Sequence, residues 1–365
     1  MKFKVDSARL IEMLKVTSKG FDQRDDSSII ITRVDPGANT LEVTSRCQSS
    51  FFSGKIDILN LEVDEDEELE HYVDGTILKK LIGILPSAAV NITFSVSKTS
   101  RVFTLAYSGN KLKLPITSDT TRIVRPEIKT LGMVQANDFM DTIDSLLKIV
   151  STDPSTQEHP LSCLHLKFQK DEIELVGTDA YSFAEVKLPF TPEQEEYEPE
   201  QILVKQAQGS LLSMNVDPAE VLKIVYSDNY FGFIDGNNNL SLVGRIDMAP
   251  LPYQRLLTNA SDDHSITINK NQLKDALNTI AKLAFTTNSV LLKMNAKDKT
   301  LKVTSATGDV IDVNVEDMNL DKDTEIQFTR TVLQKSLIPA KTDLIRIEWG
   351  MVGNMTSLFR IVLLD

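Results

Sequence analysis

The sequence has little of several features that mark common classes of protein. Only two cysteines occur among 365 residues, Cys47 and Cys163, and they give no disulfide framework, which fits a reducing cytoplasm. Both are expected to be buried small side chains rather than nucleophiles. The longest apolar runs are short and strand-like, so no segment is predicted to cross a bilayer. These shortages argue against a disulfide-stabilised secreted scaffold and against a helical membrane protein.

Sequence patterns of catalysis and metal binding are also missing. The four histidines are scattered, and none stands at metal-ligand spacing from another histidine or a cysteine. No P-loop, Gly-x-Gly-x-x-Gly or Gly-x-Ser-x-Gly motif is present, and the acidic stretches lack the pattern of a calcium loop. His165 lies in an alternating strand pattern and is predicted to be a hydrogen-bonded structural residue. We therefore expect no enzyme activity, no cofactor and no metal site, which leaves binding as the leading class of function.

The composition is that of an ordinary globular protein, with 41% hydrophobic and 25% charged residues. A chain of 365 residues suits two or three domains rather than one core. Its formal net charge of −13 argues on its face against a nucleic acid partner. A net charge averages over the whole surface, however, so the distribution of the cations matters more than the sum.

A short phrase occurs three times along the chain. Residues 40–45 read TLEVTS, residues 300–305 read TLKVTS, and residues 173–178 carry a weaker version, IELVGT. Because these echoes are separated by about a third of the chain, they indicate one module used three times. We therefore predict three domains, at residues 1–120, 121–256 and 257–365.

Each predicted module follows the same order of elements. An amphipathic helix comes first, followed by alternating strands that include the repeated phrase, an acidic segment, a second helix and a closing hairpin. Strands outnumber helices, so the fold class is α+β, with two helices covering one face of a mainly antiparallel sheet. The first helices share apolar pairs four residues apart, Leu10/Leu14, Phe139/Ile143 and Leu273/Leu277. The predicted helices span 6–19, 75–85, 137–150, 205–214, 271–283 and 330–337.

Turn signals and composition predict the connections. Ser108-Gly-Asn110 and Asp235-Gly-Asn237 are typical of hairpin turns and predict hairpins over 102–116 and 225–243. Segments 118–131 and 255–264 carry Pro, Asp, Ser and Thr without periodicity, so we predict that they are linkers.

Positive charge collects on the outward faces of the predicted helices, whereas the acidic runs fall in loops. One interpretation is that these are ordinary solvated helix faces. The other places all the helices on one concave side, which would suit a polyanion held without base-specific contacts. The sequence alone leaves both interpretations open. The cations concerned are Lys15, Lys19, Lys79, Lys80, Lys148, Lys205, Lys274, Lys282, Arg330 and Lys335.

Three stretches resemble the bacterial sliding clamp, the β subunit of the replicative DNA polymerase. The opening MKFKV, followed by Leu10 and Leu14, resembles the first helix of that family. Residues 176–184, VGTDAYSFA, are similar to its middle-domain motif Thr-Asp-Gly-His-Arg-Leu-Ala. Residues 250–257, PLPYQRLL, resemble its stretch Phe-Pro-Asp-Tyr-Arg-Arg-Val-Leu. The resemblance covers the whole chain, in the same order and at the same length.

This resemblance implies a DNA clamp fold and a function. Two three-domain crescents would close head to tail into a homodimeric ring, with helices lining the hole and sheets outside. Duplex DNA would pass through without sequence preference, while polymerase and clamp-loader subunits dock through short peptide motifs. The cations above would face the DNA, and Arg24 would join them, although an exposed loop arginine among Asp22, Asp25 and Asp26 is a comparable interpretation.

The family also implies an apolar pocket that receives the partner peptides, which suits Leu or Phe anchors. This sequence departs from the family pattern, because Ala180-Tyr181 replaces Gly-His, Phe183 replaces Leu, and the chain end lacks Pro and Met. We expect a narrower pocket and hypothesise a divergent copy, such as one carried by a mobile element. The expected lining residues are Leu161, Thr178, Ala180, Tyr181, Phe183, Leu251, Arg255, Leu256, Thr329, Val332, Ile361, Val362 and Leu363.

Two further expectations concern assembly. The strand near 101–107 is expected to be an edge that pairs with an edge of the third domain near 301–306, because an open edge is an association hazard. The alternative to a ring is an acidic, repeat-built interaction scaffold that never encircles DNA.

Overall fold

The structure of the chain is a computed structural model. It describes residues 1–20, 29–47, 50–64, 68–86, 90–97, 101–116, 124–156, 158–180, 182–193, 201–212, 219–253, 264–283, 288–340, 342–352 and 355–363. Four residues predicted to belong to functional sites, Arg24, Tyr181, Arg255 and Leu256, lie outside these ranges. Over this part of the chain, no helix is both long and apolar enough to cross a membrane.

Six α-helices occur in the described residues, one for each predicted helix, with ends that differ by a few residues. They are α1 (Ser7–Thr17), α2 (Gly75–Leu81), α3 (Ala136–Leu147), α4 (Gln206–Leu212), α5 (Lys270–Leu283) and α6 (Arg330–Ser336).

The strands outnumber the helices, which confirms the predicted α+β class. Those up to residue 115 are β1 (Lys2–Asp6), β2 (Ile29–Asp35), β3 (Thr40–Cys47), β4 (Ser50–Asp57), β5 (Asn60–Glu62), β6 (Glu70–Asp74), β7 (Asn91–Ser97), β8 (Val102–Tyr107) and β9 (Asn110–Pro115). The middle of the chain forms β10 (Lys129–Gln135), β11 (Cys163–Phe168), β12 (Glu172–Thr178), β13 (Phe183–Pro189), β14 (Thr191–Pro192), β15 (Gln201–Lys205), β16 (Val221–Tyr226), β17 (Tyr230–Ile234) and β18 (Leu240–Gly244). The last part forms β19 (Ser265–Asn269), β20 (Ser289–Asn295), β21 (Thr300–Ser305), β22 (Val310–Val313), β23 (Val315–Asn319), β24 (Thr324–Thr329), β25 (Leu344–Val352) and β26 (Met355–Leu363).

Several helices begin where a strand ends on a side chain that can cap them. The carboxylate of Asp6 accepts a hydrogen bond from the Arg9 amide at 3.0 Å, and Asp74 accepts one from the Thr76 amide at 2.7 Å. Asn269 does the same for the first turn of α5. These side chains satisfy amides that have no partner within the helix, so the strand-to-helix junctions are set locally.

The chain divides into two compact units. The first comprises 1–140, 169–173 and 188–246, and the second comprises 141–168, 174–187 and 247–365.

The first unit contains a five-stranded sheet, β5-β1-β7-β8-β9, and a nine-stranded sheet, β14-β10-β16-β17-β18-β4-β3-β2-β6. The predicted apolar pair Leu10 and Leu14 lies in a core with Phe3, Phe94 and Leu78. In the larger sheet β18 pairs with β4, so strands from the first two predicted modules share one hydrogen-bonded ladder. A small buried cluster of Phe51, Val225, Leu240 and Leu242 packs at this joint.

The second unit contains the sheets β23-β19-β25-β26 and β22-β21-β20-β24, together with β13, β12 and β11. Helices α5 and α6 pack beside each other in this unit. Leu273 and Leu277 of α5, Leu333 of α6 and Trp349 of β25 are buried in one core. The helix face predicted from the sequence is therefore the buried one.

The repeated phrase occupies the same position in three sheets. It lies in β3, β12 and β21, and each of these strands sits between the preceding and the following strand of the chain, as in β4-β3-β2, β13-β12-β11 and β22-β21-β20. The topology therefore repeats with the sequence. The boundaries near 120 and 256 stay predictions, because residues 117–123 and 254–263 lie outside the described ranges.

Two sequence-based expectations were wrong. The predicted linker 118–131 extends too far, because Lys129–Gln135 form strand β10, which pairs with β16. The expected edge strands are interior: β8 lies between β7 and β9, and β21 lies between β20 and β22. The reason is that tight hairpin turns, such as the one with Ser108 at φ 44° and Gly109 at φ 82°, add one more strand to each sheet. Among the described strands, β9 is a terminal strand of the sheet that contains β8, and β22 is a terminal strand of the sheet that contains β21.

Candidate functional sites

The predicted cations of the first unit lie at the ends of two neighbouring helices. Lys15 is exposed in the last turn of α1, and Lys19 is half-buried in the following 3-10 turn. Lys79 and Lys80 are exposed in the last turn of α2, which packs beside α1. A cation at a helix C-terminus interacts favourably with the helix dipole, which is reason enough for a lysine there. No described acidic group forms a salt bridge with Lys15, Lys79 or Lys80, so their charges stay available to an external anion.

In the second unit, Lys274 and Lys282 are exposed on α5, on the side away from the buried Leu273 and Leu277. Lys148 is exposed just after α3. None of these three lysines forms a salt bridge with a described residue.

The cations at the start of α6 and the end of β15 are less exposed. Arg330 is half-buried and donates to Gln334 Oε1 at 3.4 Å, and Gln334 in turn donates to Asn278 of α5 at 3.0 Å. A polar network therefore ties α5 to α6 beside Lys274. Lys205 is half-buried at the end of β15.

The paired cations lie mainly on strands. Lys2 pairs with Glu62 at 3.3 Å, Lys55 with Glu42 at 3.9 Å and Lys293 with Glu325 at 3.2 Å. Within the part of the chain that the structure describes, these three lysines are neutralised in place, whereas most of the predicted helix lysines form no salt bridge.

The predicted peptide pocket contains a tightly hydrogen-bonded loop between β12 and β13. The hydroxyl of buried Thr178 donates to the Ser182 carbonyl at 2.8 Å and accepts from the Ala180 amide at 3.2 Å. The Asp179 carboxylate accepts from the Ser182 amide at 2.7 Å. Ala180 has φ 74°, a conformation that favours glycine, and this is the position at which the family motif has glycine. The side chain of Ala180 is exposed.

An aromatic and ionic cluster lies beside this loop in the second unit. Half-buried Phe183 has its ring centroid 5.5 Å from that of buried Tyr253, and the His165 ring meets Tyr253 edge-on at 6.2 Å. The Tyr253 hydroxyl donates to the buried carboxylate of Glu174, which also pairs with Lys167 at 3.8 Å. Burial and this hydrogen bond raise the pKa of Tyr253 well above its usual range. The Tyr253 hydroxyl therefore stays a neutral hydrogen-bond donor inside the cluster at neutral pH, and Phe183 is the half-buried ring of the cluster.

The other predicted pocket residues are placed as follows. Leu161 follows the first residue of a 3-10 turn and is half-buried, as is Leu251. Thr329 is exposed at the N-cap of α6, and Val332 is half-buried within that helix. Ile361, Val362 and Leu363 belong to β26, whose backbone pairs with β25, but their side chains lie outside the description. The contacts bring together the Asp179 loop, Phe183 and α6, and the remaining assignments stay predictions.

Comparison by sequence finds no matching family model and no similar curated protein. Comparison of the fold finds bacterial replication proteins. The clamp from Pseudomonas aeruginosa bound to griselimycin matches with a TM-score of 0.82 at 16% identity, covering 100% of this chain and 96% of that one. The pol III beta of Caulobacter crescentus matches at 0.81 and 16% identity, with 100% and 96% covered. The DNA polymerase III beta chain of Streptococcus pneumoniae matches at 0.80 and 16%, with 100% and 96% covered.

This chain has the fold of the bacterial DNA sliding clamps. The resemblance inferred from three short motifs is thereby confirmed for the fold over the full length of the chain. Among the described residues, no group of three His, Cys, Asp or Glu side chains is arranged to hold a metal ion.

Several residues around the candidate pocket of this clamp fold were absent from the predicted site. Asp179 and Tyr253 stand inside two of the motifs that carried the resemblance, but only neighbouring residues, among them Thr178, Phe183 and Arg255, had been assigned to the pocket. The family glycine aligned with Ala180 was a usable signal, since it indicates a positive φ and hence a side-chain-braced turn. Glu174 and Lys167 lie in ordinary alternating strands, and no local pattern distinguishes them.

Proposed function

We propose that the chain is a DNA sliding clamp, a non-catalytic processivity factor that encircles duplex DNA as a head-to-tail homodimer in the cytoplasm. It would tether the replicative polymerase and other replication and repair proteins. The observation that carries this proposal is the full-length match to the clamp fold, with TM-scores of 0.80 to 0.82 despite 16% identity. Three domains at 1–120, 121–256 and 257–365 belong to the same proposal.

The helix lysines support a sequence-independent DNA contact. Lys15, Lys79, Lys274 and Lys282 are exposed and free of salt bridges to described residues. Long side chains of this kind contact phosphates through solvent-screened interactions, so affinity at any one position on DNA is low and sliding is easy. A net charge of −13 discourages other adhesion to nucleic acid and leaves the helix face as the favourable surface.

The terminal strands β9 and β22 support the homodimer. Lys111 and Lys113 are exposed on β9, while Asp312 is exposed on β22 and Asp309 precedes it. An open edge presents unpaired backbone groups, and a second copy can satisfy them by adding its own strand. The charges of the two edges have opposite sign, which favours β9 of one copy against β22 of the other.

The loop at Asp179 and the half-buried ring of Phe183, which packs on buried Tyr253, support a partner-peptide site in the second unit. A half-buried aromatic side chain beside a fixed polar loop suits a peptide that inserts Leu or Phe anchors. Arg255 and Leu256, with Tyr181, complete this proposed pocket.

The test relies on the fact that a closed ring cannot leave a closed DNA circle but can slide off the ends of a linear one. The protein is assembled on nicked circular DNA, the complex is isolated, and the circle is then linearised with a restriction enzyme. A clamp is expected to leave the linear DNA by sliding off its ends and to remain on the uncut circle, which serves as the control. Retention on both forms would indicate an ordinary DNA binder. Absence from both, with partner peptides still bound, would favour an interaction scaffold that does not encircle DNA.

A further inference from the structure

One member of the predicted DNA-facing set makes a contact that sets it apart. The ammonium of Lys335, in the last turn of α6, lies 3.0 Å from Asp179 Oδ2. The Lys335 side chain is 41% exposed and the Asp179 side chain 13%. Lys274 and Lys282, on the adjacent helix α5, form no salt bridge with a described carboxylate.

Asp179 is the residue that organises the loop after β12. Its Oδ1 atom accepts a hydrogen bond from the Ser182 amide at 2.7 Å, while its Oδ2 atom receives Lys335. Ala180, which lies between Asp179 and Ser182, has φ 74°. A residue with a Cβ adopts this conformation only when its surroundings enforce it. Burying a carboxylate without a counter-charge is unfavourable, and Lys335 supplies that charge.

We propose that Lys335 is a positioning residue of the partner-peptide site rather than a DNA contact. Its charge fixes the Asp179 carboxylate, the carboxylate fixes the Ser182 amide, and this places Phe183 against Tyr253 at the start of β13. The proposal deepens the function proposed above and rests on it for the identity of the site. It divides the cations of the second unit into two groups, with Lys274 and Lys282 facing DNA and Lys335 bracing the loop.

The test compares Lys335→Met with Lys282→Met, its matched control on the neighbouring helix, and with Lys335→Arg, which keeps the charge. Hydrogen exchange at the Ser182 amide reports on the loop without any ligand. A fluorescein-labelled peptide with Leu and Phe anchors reports on the pocket. The salt dependence of binding to a duplex oligonucleotide reports on phosphate contacts.

Lys335→Met is expected to speed hydrogen exchange at the Ser182 amide about fivefold and to weaken binding of the probe peptide about fivefold. Changes of this size correspond to the free energy of a partly exposed ion pair. The same variant leaves the slope of log K against log salt for DNA unchanged. Lys282→Met is expected to lower that slope by about one while leaving the peptide affinity unchanged. Lys335→Arg restores the exchange rate. Asp179→Asn, which removes the charge but keeps the shape, reproduces the effect, and the double variant adds nothing further.

The opposite pattern would overturn the proposal: unchanged exchange at Ser182 in Lys335→Met, with a DNA salt slope lowered by about one. A wild-type protein that binds neither DNA nor the probe peptide would instead count against the proposed function. In that case the exchange measurement still decides whether Lys335 positions the loop, so the two failures are distinguishable.

Discussion

At the scale of single residues, His165 shows how burial sets a pH dependence. Its ring is 1% exposed, Nε2 donates to the Pro160 carbonyl at 3.0 Å, and Nδ1 has no hydrogen-bond partner among the described residues. A second proton would sit on Nδ1 without an acceptor, and burial accordingly lowers the pKa of His165. The sequence-based prediction of a hydrogen-bonded structural histidine is confirmed.

A stability change with pH follows from that lowered pKa. Between the folded pKa and the ordinary value of about 6.5, the unfolded chain binds the proton and the folded chain does not. The free energy of unfolding should therefore fall as the pH falls below about 6.5, by up to about 1.4 kcal/mol per pH unit from this group. Urea unfolding at pH 7.5 and 5.5 measures the change. His165→Gln keeps the other three histidines as an internal control and should flatten the slope; an unchanged slope would contradict this account.

At the scale of elements, the short helix α2 depends on its first turn. Asp74 accepts from the Thr76 amide at 2.7 Å and from the Thr76 hydroxyl at 2.6 Å. The hydroxyl hydrogen bond is the largest cause of the lowered pKa of Asp74, and the amide bond and the charge of Lys80 add to it. Because a seven-residue helix has few internal hydrogen bonds, one capping interaction is a sizeable part of its stability.

We expect Asp74→Ala to lower the free energy of unfolding by about 1 kcal/mol, as for other N-cap losses. Asp74→Asn keeps an acceptor and should recover most of it. Because the folded pKa is the lower one, the wild-type advantage is present above the unfolded pKa of about 3.9 and is lost as the pH falls through the folded value. Asp64→Ala, in the preceding acidic segment, is the control, and an equal loss in that variant would contradict a capping role.

At the scale of the whole molecule, the proposed homodimer would join β9 of one copy to β22 of the other. Their charges predict that the variant Lys111→Glu/Lys113→Glu does not dimerise with itself, because acidic residues would then face Asp309 and Asp312. Asp312→Lys is expected to weaken its own dimer for the converse reason. A mixture of the two variants should form a dimer, since both of its interfaces regain opposite charges.

Sedimentation velocity over a range of protein and salt concentrations measures dimerisation, and high salt is expected to weaken the proposed wild-type dimer. Lys129→Glu is the control, because Lys129 is exposed on β10, an interior strand of the nine-stranded sheet. A wild-type protein that stays monomeric at every concentration, or variants that fail to pair in the mixture, would remove β9 and β22 from the interface.

Local periodicity was sufficient to predict much of the fold. The apolar pairs Leu10/Leu14 and Leu273/Leu277 are buried where the helical pattern places them, and the repeated phrase forms equivalent strands. These features depend on residues a few positions apart, so the sequence carries them directly. The clamp fold itself was predicted from three motifs together with the repeat.

The remaining features depend on residues far apart in the chain. Pairing of β18 with β4 and the contact of Lys335 with Asp179 join segments that are distant in sequence. Lys335 and Lys282 both lie in the last turn of a helix, so the sequence does not distinguish them. Only Lys335 is paired with a carboxylate, that of Asp179, which lies in a loop far away in the sequence. Chain folding brings charges and strand edges together over such separations, and no local pattern records which ones meet.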